Sequence, residues 1–352
     1  DYLAGAVPLD KPPEALTVKA REIIAKAGYD APAADRVHGF SYDHDYLQFL
    51  ENQEPPITHR GAAAAGWPAT IVFWYRESPG HLVAEDYFRP AGRPFVTSYD
   101  PPWVVPGMTG VWLDPQGRLL RFQAVPPHFD DAEMGAPDPD WAPFFEAAGL
   151  DFSSFVPASP SRNPQLDCDL RLAWEGPDPN SSDRRVRVET GSYRGRPAYF
   201  EVVPPWREDP WMGPDHPPDP IDDVFFFVLL AGVLVGGSLF AHRNLRMGRG
   251  DRRGALRLAG FVFLLNALEW ILRADHVAGA GELWLFLHFL GYALFASGLL
   301  WIIYVALEPY ARRMWPNGLV SWSRLITGRI RDPLVGRDIL FGATLGVVLR
   351  LW

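Results

Sequence analysis

The chain has 352 residues, with 33 Lys+Arg against 42 Asp+Glu, and its formal charge of −9 argues against a general nucleic-acid binder. That average joins two unlike polymers, because residues 1–223 carry a net −16 and residues 224–352 a net +7. Long uncharged apolar runs in the second stretch exclude a purely soluble protein, and Cys168, the single cysteine, excludes an intrachain disulfide and a cysteine-based zinc site.

In chain order, Pro13 to Gly28 predicts an amphipathic helix. Leu16, Ala20, Ile23, Ile24 and Ala27 form its apolar stripe, with Pro in the first turn and Gly at its end. Strands are expected at Tyr46–Leu50, Thr70–Arg76, Thr109–Leu113 and Leu119–Val125. The turn Asp114-Pro115-Gln116-Gly117 makes Gly110 to Ala124 a hairpin. A second pass of the same layout follows. Trp141 to Gly149 is a short helix, and Leu170–Glu175, Val186–Thr190 and Ala198–Val203 are strands, with a turn at Tyr193-Arg194-Gly195-Arg196. The helices end alike, in Ala27-Gly28-Tyr29-Asp30 and Ala148-Gly149-Leu150-Asp151, and both passes close on Val-Pro-Pro, at 125–127 and 203–205. The expected fold is α+β, as two related helix-plus-antiparallel-sheet modules over 1–130 and 131–203. A stiff Pro-rich linker over 204–223 then leads to a membrane domain over 224–352.

Spans are expected at about 224–241, 258–272 and 283–307, with a fourth beginning at 338–352, where the chain stops; it reads as an internal piece of a longer protein. The loop after the first span holds Arg243, Arg246, Arg249, Arg252, Arg253 and Arg257. The loop after the third holds Arg312, Arg313, Arg324, Arg329, Arg331 and Arg337, whereas the loop between the second and third holds only Arg273. By the positive-inside rule the Arg-rich loops are cytoplasmic and residues 1–223 extracytoplasmic. Segment 315–337, with Leu319, Trp322, Ile326 and Ile330 at helical spacing among arginines, is expected to lie amphipathically on the inner membrane surface. Gly232 with Gly236, and Gly342 with Gly346, form GxxxG pairs that let a neighbouring helix approach, including one from a second copy in a homodimer.

Residues that bear chemistry are few. His38, Asp43, His44 and Asp45 cluster enough to hold a metal, but a polar turn explains them better. Trp67, Trp74, Tyr75, Tyr99, Trp103 and Trp112 fit either an apolar pocket or a core. Glu269 and His288 fall at membrane depth, and Arg273 follows Glu269 by one helical turn, so the three are candidate intramembrane polar residues. Intramembrane hydrolases of the Glu-x-x-x-Arg type place Glu and His on neighbouring spans, but their doubled Glu and further His residues are missing. No phosphate-binding Gly loop precedes a helix, and no GxSxG, HExxH or CxxC occurs. Neither a catalytic constellation nor a cofactor or metal site is expected.

The runs RNLRMGRGDRRGALRLAGFVFL and LEPYARRMWPNGLVSWSRLITGRIRDPLVGRDIL resemble the membrane portion of receptor-type bacterial serine/threonine protein kinases, Acidobacteria-like in character. KAREIIAKAGY, VFWYRESP and GVWLDPQGRLLRFQAVPP resemble their extracytoplasmic domain. The resemblance covers most of the chain and implies the sensor and transmembrane signalling region of such a kinase, in a bacterial inner membrane, reading an unknown extracytoplasmic ligand. The Gly-rich loop with its Lys, HRD and DFG are absent, so the resemblance assigns phosphotransfer to a part outside this chain. The alternative expectation is a multi-span membrane protein without kinase, such as a transporter subunit or an intramembrane hydrolase.

Overall fold

The computed structural model describes residues 11–52, 70–85, 95–128, 137–178, 181–204, 206–207, 220–274, 276–314, 320–326, 328 and 331–351. They fall into two compact units, one within Asp1–Glu85 and Val96–Gly213, the other within Asp86–Phe95 and Pro214–Trp352.

The first unit contains α1 (Pro13–Lys26), β1 (Asp35–Tyr42), α2 (His44–Glu51), β2 (Ile71–Ser78), β3 (Thr109–Leu113), β4 (Leu119–Ala124) and α3 (Ala142–Ala147). These are followed by β5 (Val156–Ala158), β6 (Leu170–Asp178), β7 (Ser181–Tyr193) and β8 (Arg196–Val203). All eight strands join one antiparallel sheet in the order β1-β2-β3-β4-β8-β7-β6-β5. Each half of the sequence contributes a four-strand meander, and the halves meet through their last strands, where Phe122 of β4 lies opposite Phe200 of β8.

One face of the sheet carries the apolar core. Leu16, Ile23 and Ile24 of α1 and Phe144 and Phe145 of α3 pack against Phe73, Val111, Phe122, Val188 and Phe200. Each fully buried side chain of this size contributes about 2 kcal/mol. Both helices end in the same cap. Tyr29 N–H donates to Ile24 O and Gly28 N–H to Ala25 O; Leu150 N–H donates to Phe145 O and Gly149 N–H to Glu146 O. Gly28 (φ +84°) and Gly149 (φ +72°) supply the left-handed residue that this Schellman closure needs. The two expected turns also form. Asp114 Oδ1 accepts from the N–H groups of Gln116 and Arg118 at 3.0 and 2.7 Å, and Arg194 and Gly195, with φ of 49° and 76°, turn β7 into β8.

The expected strand at Tyr46–Leu50 is a helix, α2. Asp43 accepts from Tyr46 N–H at 3.1 Å as its N-cap. Tyr46 and Leu50, four apart, then share a buried face against Trp206. The period of four outweighs the β preference of the aromatics. The edge strands β1 and β5 were not legible in the sequence.

The second unit is helical: α4 (Pro220–Arg246), α5 (Arg252–Arg273), α6 (Ala280–Met314), α7 (Val320–Ile326) and α8 (Pro333–Leu351). Among the described residues three helices are long and apolar enough to cross a membrane, over Val224–Arg246, Arg252–Arg273 and Gly281–Met314. α6 packs against both α4 and α5, while Phe225, Phe226, Phe227, Leu264 and Leu272 stay exposed, as a lipid-facing surface requires. The run expected to begin a fourth span forms α8, a 19-residue helix that carries Arg337, Asp338 and Arg350 and packs on α7.

Candidate functional site

The face of the sheet opposite α1 and α3 is polar. Strand alternation puts Arg76, Arg121, Gln123, Glu189, Tyr199 and Glu201 there, in register across β2, β3, β4, β8 and β7. Arg76 is 1 % exposed although charged. Its guanidinium donates to Thr97 O and Pro101 O, both at 2.8 Å, and lies 4.1 Å from the Trp103 ring centroid. Burial lowers its pKa to about 10, partly offset by Asp100. Arg76 therefore pins the 97–103 loop onto the sheet. Gly110 leaves room for the covering Trp103, because a Cβ there would meet the indole at 2.4 Å.

Around the β4–β8 junction the groups form a continuous ion-pair network. Arg121 lies over the Trp112 and Tyr199 rings, at 4.9 and 5.5 Å, and donates to Gln123 Oε1 at 2.6 Å. Tyr199 O–H donates to Glu201. Arg207 donates to Glu201 Oε1 at 2.9 Å and to Asp43 Oδ2 at 3.0 Å, with Asp45 at 3.8 Å. Burial alone would raise the Glu201 carboxyl, but Arg121, Arg207 and the Tyr199 hydroxyl outweigh it and hold it below its ordinary value. Burial and the Glu201 charge push Tyr199 up. Nearby, Arg187 bridges Glu189 at 2.6 Å and Glu175 at 2.8 Å. A carboxylate locked in its charged form by two arginines is unsuited to proton transfer near neutral pH. What this arrangement can do is hold elements together. Trp206, whose ring lies 4.7 Å from Tyr46 and 5.1 Å from Phe49, and Arg207 fasten the chain after β8 to α2 and to the end of β1.

Two polar clusters mark the helical unit. At one end of α5, Arg273 donates to Glu269 at 2.8 Å, with both side chains 56 % exposed. His276 and Glu282 meet at 2.7 Å beside Trp270. The expected Glu269–Arg273 pair is thus formed, and His288 sits half-buried on α6. At the other end of α5, Asn244 of α4 is 1 % exposed and donates to Val305 O and Ala306 O of α6, both at 3.0 Å. Pro309, inside α6, has no N–H for the carbonyl four residues earlier, which is Val305. A side chain of one helix therefore serves the carbonyl that proline leaves open in its neighbour. Asp251 N-caps α5 by accepting from Gly254 N–H at 2.9 Å, and Trp322 of α7 donates to Tyr304 O–H at 3.2 Å.

The glycine pairs behave differently from their neighbour. A Cβ at Gly232, Gly236, Gly342 or Gly346 would meet nothing within 4 Å, whereas one at Gly237 would meet Ile302 at 3.1 Å. Gly237 makes the close α4–α6 approach within the chain, and both GxxxG pairs face outward. The run from His38 to Asp45 is placed as follows: Asp43 caps α2 and holds Arg207, His38 lies exposed on β1, and no group of three metal-binding side chains forms among the described residues. The aromatics divide between layers, Tyr75 in the core under the helices and Trp103 and Trp112 on the polar face, while Tyr99 is exposed and Trp67 lies outside the described residues. A groove of about 120 Å³ between α1 and α3, lined by Lys19, Glu22, Lys26 and Glu146 over Ile23 and Phe144, is smaller than sites for drug-sized ligands.

Sequence reasoning missed Arg207, Glu201, Asn244 and Pro309. Arg207 was absorbed into the Pro-rich linker, most of which (208–219) lies outside the described residues. A proline inside a long apolar run and an Asn at the end of another were the signals for the α4–α6 contact. No protein-family model, curated protein or solved structure matches the chain.

Proposed function

We propose that this chain is the sensor and transmembrane signalling region of a membrane-bound serine/threonine protein kinase, non-catalytic by itself. It sits in a bacterial inner membrane with residues 1–223 extracytoplasmic. The observation that carries the reading is the clamp at the exit of the sheet. β8, a central strand, runs into Trp206 and Arg207, which are fastened to α2 and Asp43 directly ahead of the linker to α4. A ligand shifts a two-state equilibrium only through differential affinity. One that moves α2 or the end of β1 would load or release this clamp, and so the segment that enters the first span. The outward-facing Gly232 and Gly236 supply the contact to a second copy.

The sheet also supports a duplicated origin. The shift that superposes the two Val-Pro-Pro runs carries Phe122 onto Phe200, Gln123 onto Glu201 and Arg121 onto Tyr199. Phe122 and Phe200 face each other, Arg121 faces Glu201 and Gln123 faces Tyr199, the pairing that a two-fold axis between the phenylalanines produces. The matched helix caps add to this, so we read the domain as two modules fused through their last strands.

The test of the kinase reading is transfer of the labelled γ-phosphate of ATP onto serine or threonine. The natural polypeptide that includes these residues is compared with residues 1–352 alone. Transfer by the former and none by the latter is expected. No transfer by the natural polypeptide, or transfer by residues 1–352 that survives stringent repurification, overturns the reading.

A further inference from the structure

The turn between α4 and α5 is a rigid platform of arginines. Gly248 (φ +67°) closes α4 in a Schellman motif, with Arg249 N–H donating to Asn244 O at 3.0 Å and Gly248 N–H to Leu245 O at 3.2 Å. Asp251 then starts α5. The turn is seated on α6: a Cβ at Gly250 would meet Val305 at 3.2 Å, and one at Gly254 would meet the Tyr304 hydroxyl at 3.0 Å. Arg243, Arg246, Arg249, Arg252 and Arg253 all project from this platform and are exposed. Among the described residues none of the five has a carboxylate in ion-pair range. Asp251, the acid of the turn, is engaged as the N-cap, and Glu308 on α6 is paired with Arg312.

Apolar side chains are exposed at the same level, with Leu239 66 %, Phe240 50 %, Met247 40 % and Leu256 68 % accessible. Guanidinium groups interleaved with bare apolar groups, at the end of helices long enough to cross a bilayer, match the boundary between acyl chains and phosphate headgroups. A nucleic acid or an acidic protein would leave the apolar groups in water. We infer that this platform is a binding surface for anionic phospholipid headgroups, in which the five arginines grip phosphates through their paired N–H groups. The inference rests on α4 and α5 crossing a membrane and not on the kinase reading. Each basic side chain beside an anionic surface strengthens association about fivefold.

The 352-residue chain is reconstituted in phosphatidylcholine bilayers. The motionally restricted fraction of spin-labelled phosphatidylglycerol is compared with that of spin-labelled phosphatidylcholine. Phosphatidylglycerol should be favoured by about threefold or more, and R249Q/R252Q/R253Q should remove at least half of that preference. Arg273→Gln, at the opposite end of α5, should leave it unchanged. Raising salt from about 0.05 to 1 M should weaken the preference in the unsubstituted protein, which tests the same contact without relying on the variant's folding. Equal restriction of both lipids, a preference that the triple variant retains in full, or one indifferent to salt would overturn the inference.

Discussion

Replacing Asn244 by Ala should destabilise the helical unit, and the size of the loss should depend on Pro309. The Asn244 amide donates two 3.0 Å bonds to Val305 O and Ala306 O in a site where Asn244 is 1 % exposed. Interhelical hydrogen bonds in membranes contribute about 0.6 kcal/mol on average and up to about 1.7 kcal/mol. A carbonyl left unpaired costs about 1–3 kcal/mol. Loss of both bonds, with the Val305 carbonyl orphaned by Pro309, therefore costs about 2 kcal/mol. In a Pro309→Ala background a backbone N–H returns at 309 and can serve Val305 O, so Asn244→Ala should cost only about 1 kcal/mol. The assay is a double-mutant cycle on reversible unfolding in mixed detergent, followed by helical circular dichroism. A coupling near 1 kcal/mol is expected. Losses that add within about 0.3 kcal/mol would refute the statement that Asn244 stands in for the missing amide.

Arg207→Met leaves Glu201 with only part of its compensation and should destabilise the sheet domain by about 3 kcal/mol, read as a lowered denaturation midpoint. Glu201 is held below its ordinary pKa, so its contribution is present above the unfolded value of about 4.3 and lost as pH falls through the lower folded value. Glu201→Gln should flatten that acid limb of the stability profile, and an unchanged limb would count against the assignment. Gly110→Ala drives a methyl into Trp103 and should cost about 1–3 kcal/mol, together with a change in tryptophan emission. Replacing Gly232 and Gly236 by Leu should leave the fold intact, because both positions are open within the chain. It should reduce crosslinking between copies in membranes, and unaltered crosslinking would remove these glycines from any assembly.

Much of the fold was legible because its signals are local. The α1 stripe, both Gly-ended helix caps, the Asp114–Gly117 turn and the hairpin it closes depend on neighbours in sequence, and the helices named from apolar runs depend on length alone. What failed were choices set by distant partners. Tyr46–Leu50 has strand-like composition, and its helix is fixed by Asp43 at one end and by Trp206, about 160 residues away, on its face. The joining of the halves into one sheet depends on the β4–β8 register, which no turn encodes. The candidate site divides the same way. Glu269 and Arg273, one helical turn apart, form the pair their spacing implies. The clamp of Arg207 on Glu201 and Asp43 and the contact of Asn244 with Val305 each join residues distant in sequence. Nor does sequence spacing say which glycine faces a neighbour, and Gly237 rather than Gly236 makes the intrachain approach.

The proposed topology puts the eight-stranded domain and the Arg-rich turn on opposite sides of a membrane, with the domain outside. Ser159 is exposed on the first unit and Met247 on the α4–α5 turn. Cys168, whose thiol burial and the neighbouring Asp169 push up to about 11, can be replaced by Ala to clear the background. Single Ser159→Cys and Met247→Cys variants are treated in intact cells with a membrane-impermeant maleimide. Labelling at 159 without labelling at 247 until the cells are opened is the predicted result. Labelling at 247 and not at 159 in intact cells would contradict the orientation and the sensor reading with it, and labelling at both would contradict a membrane between them.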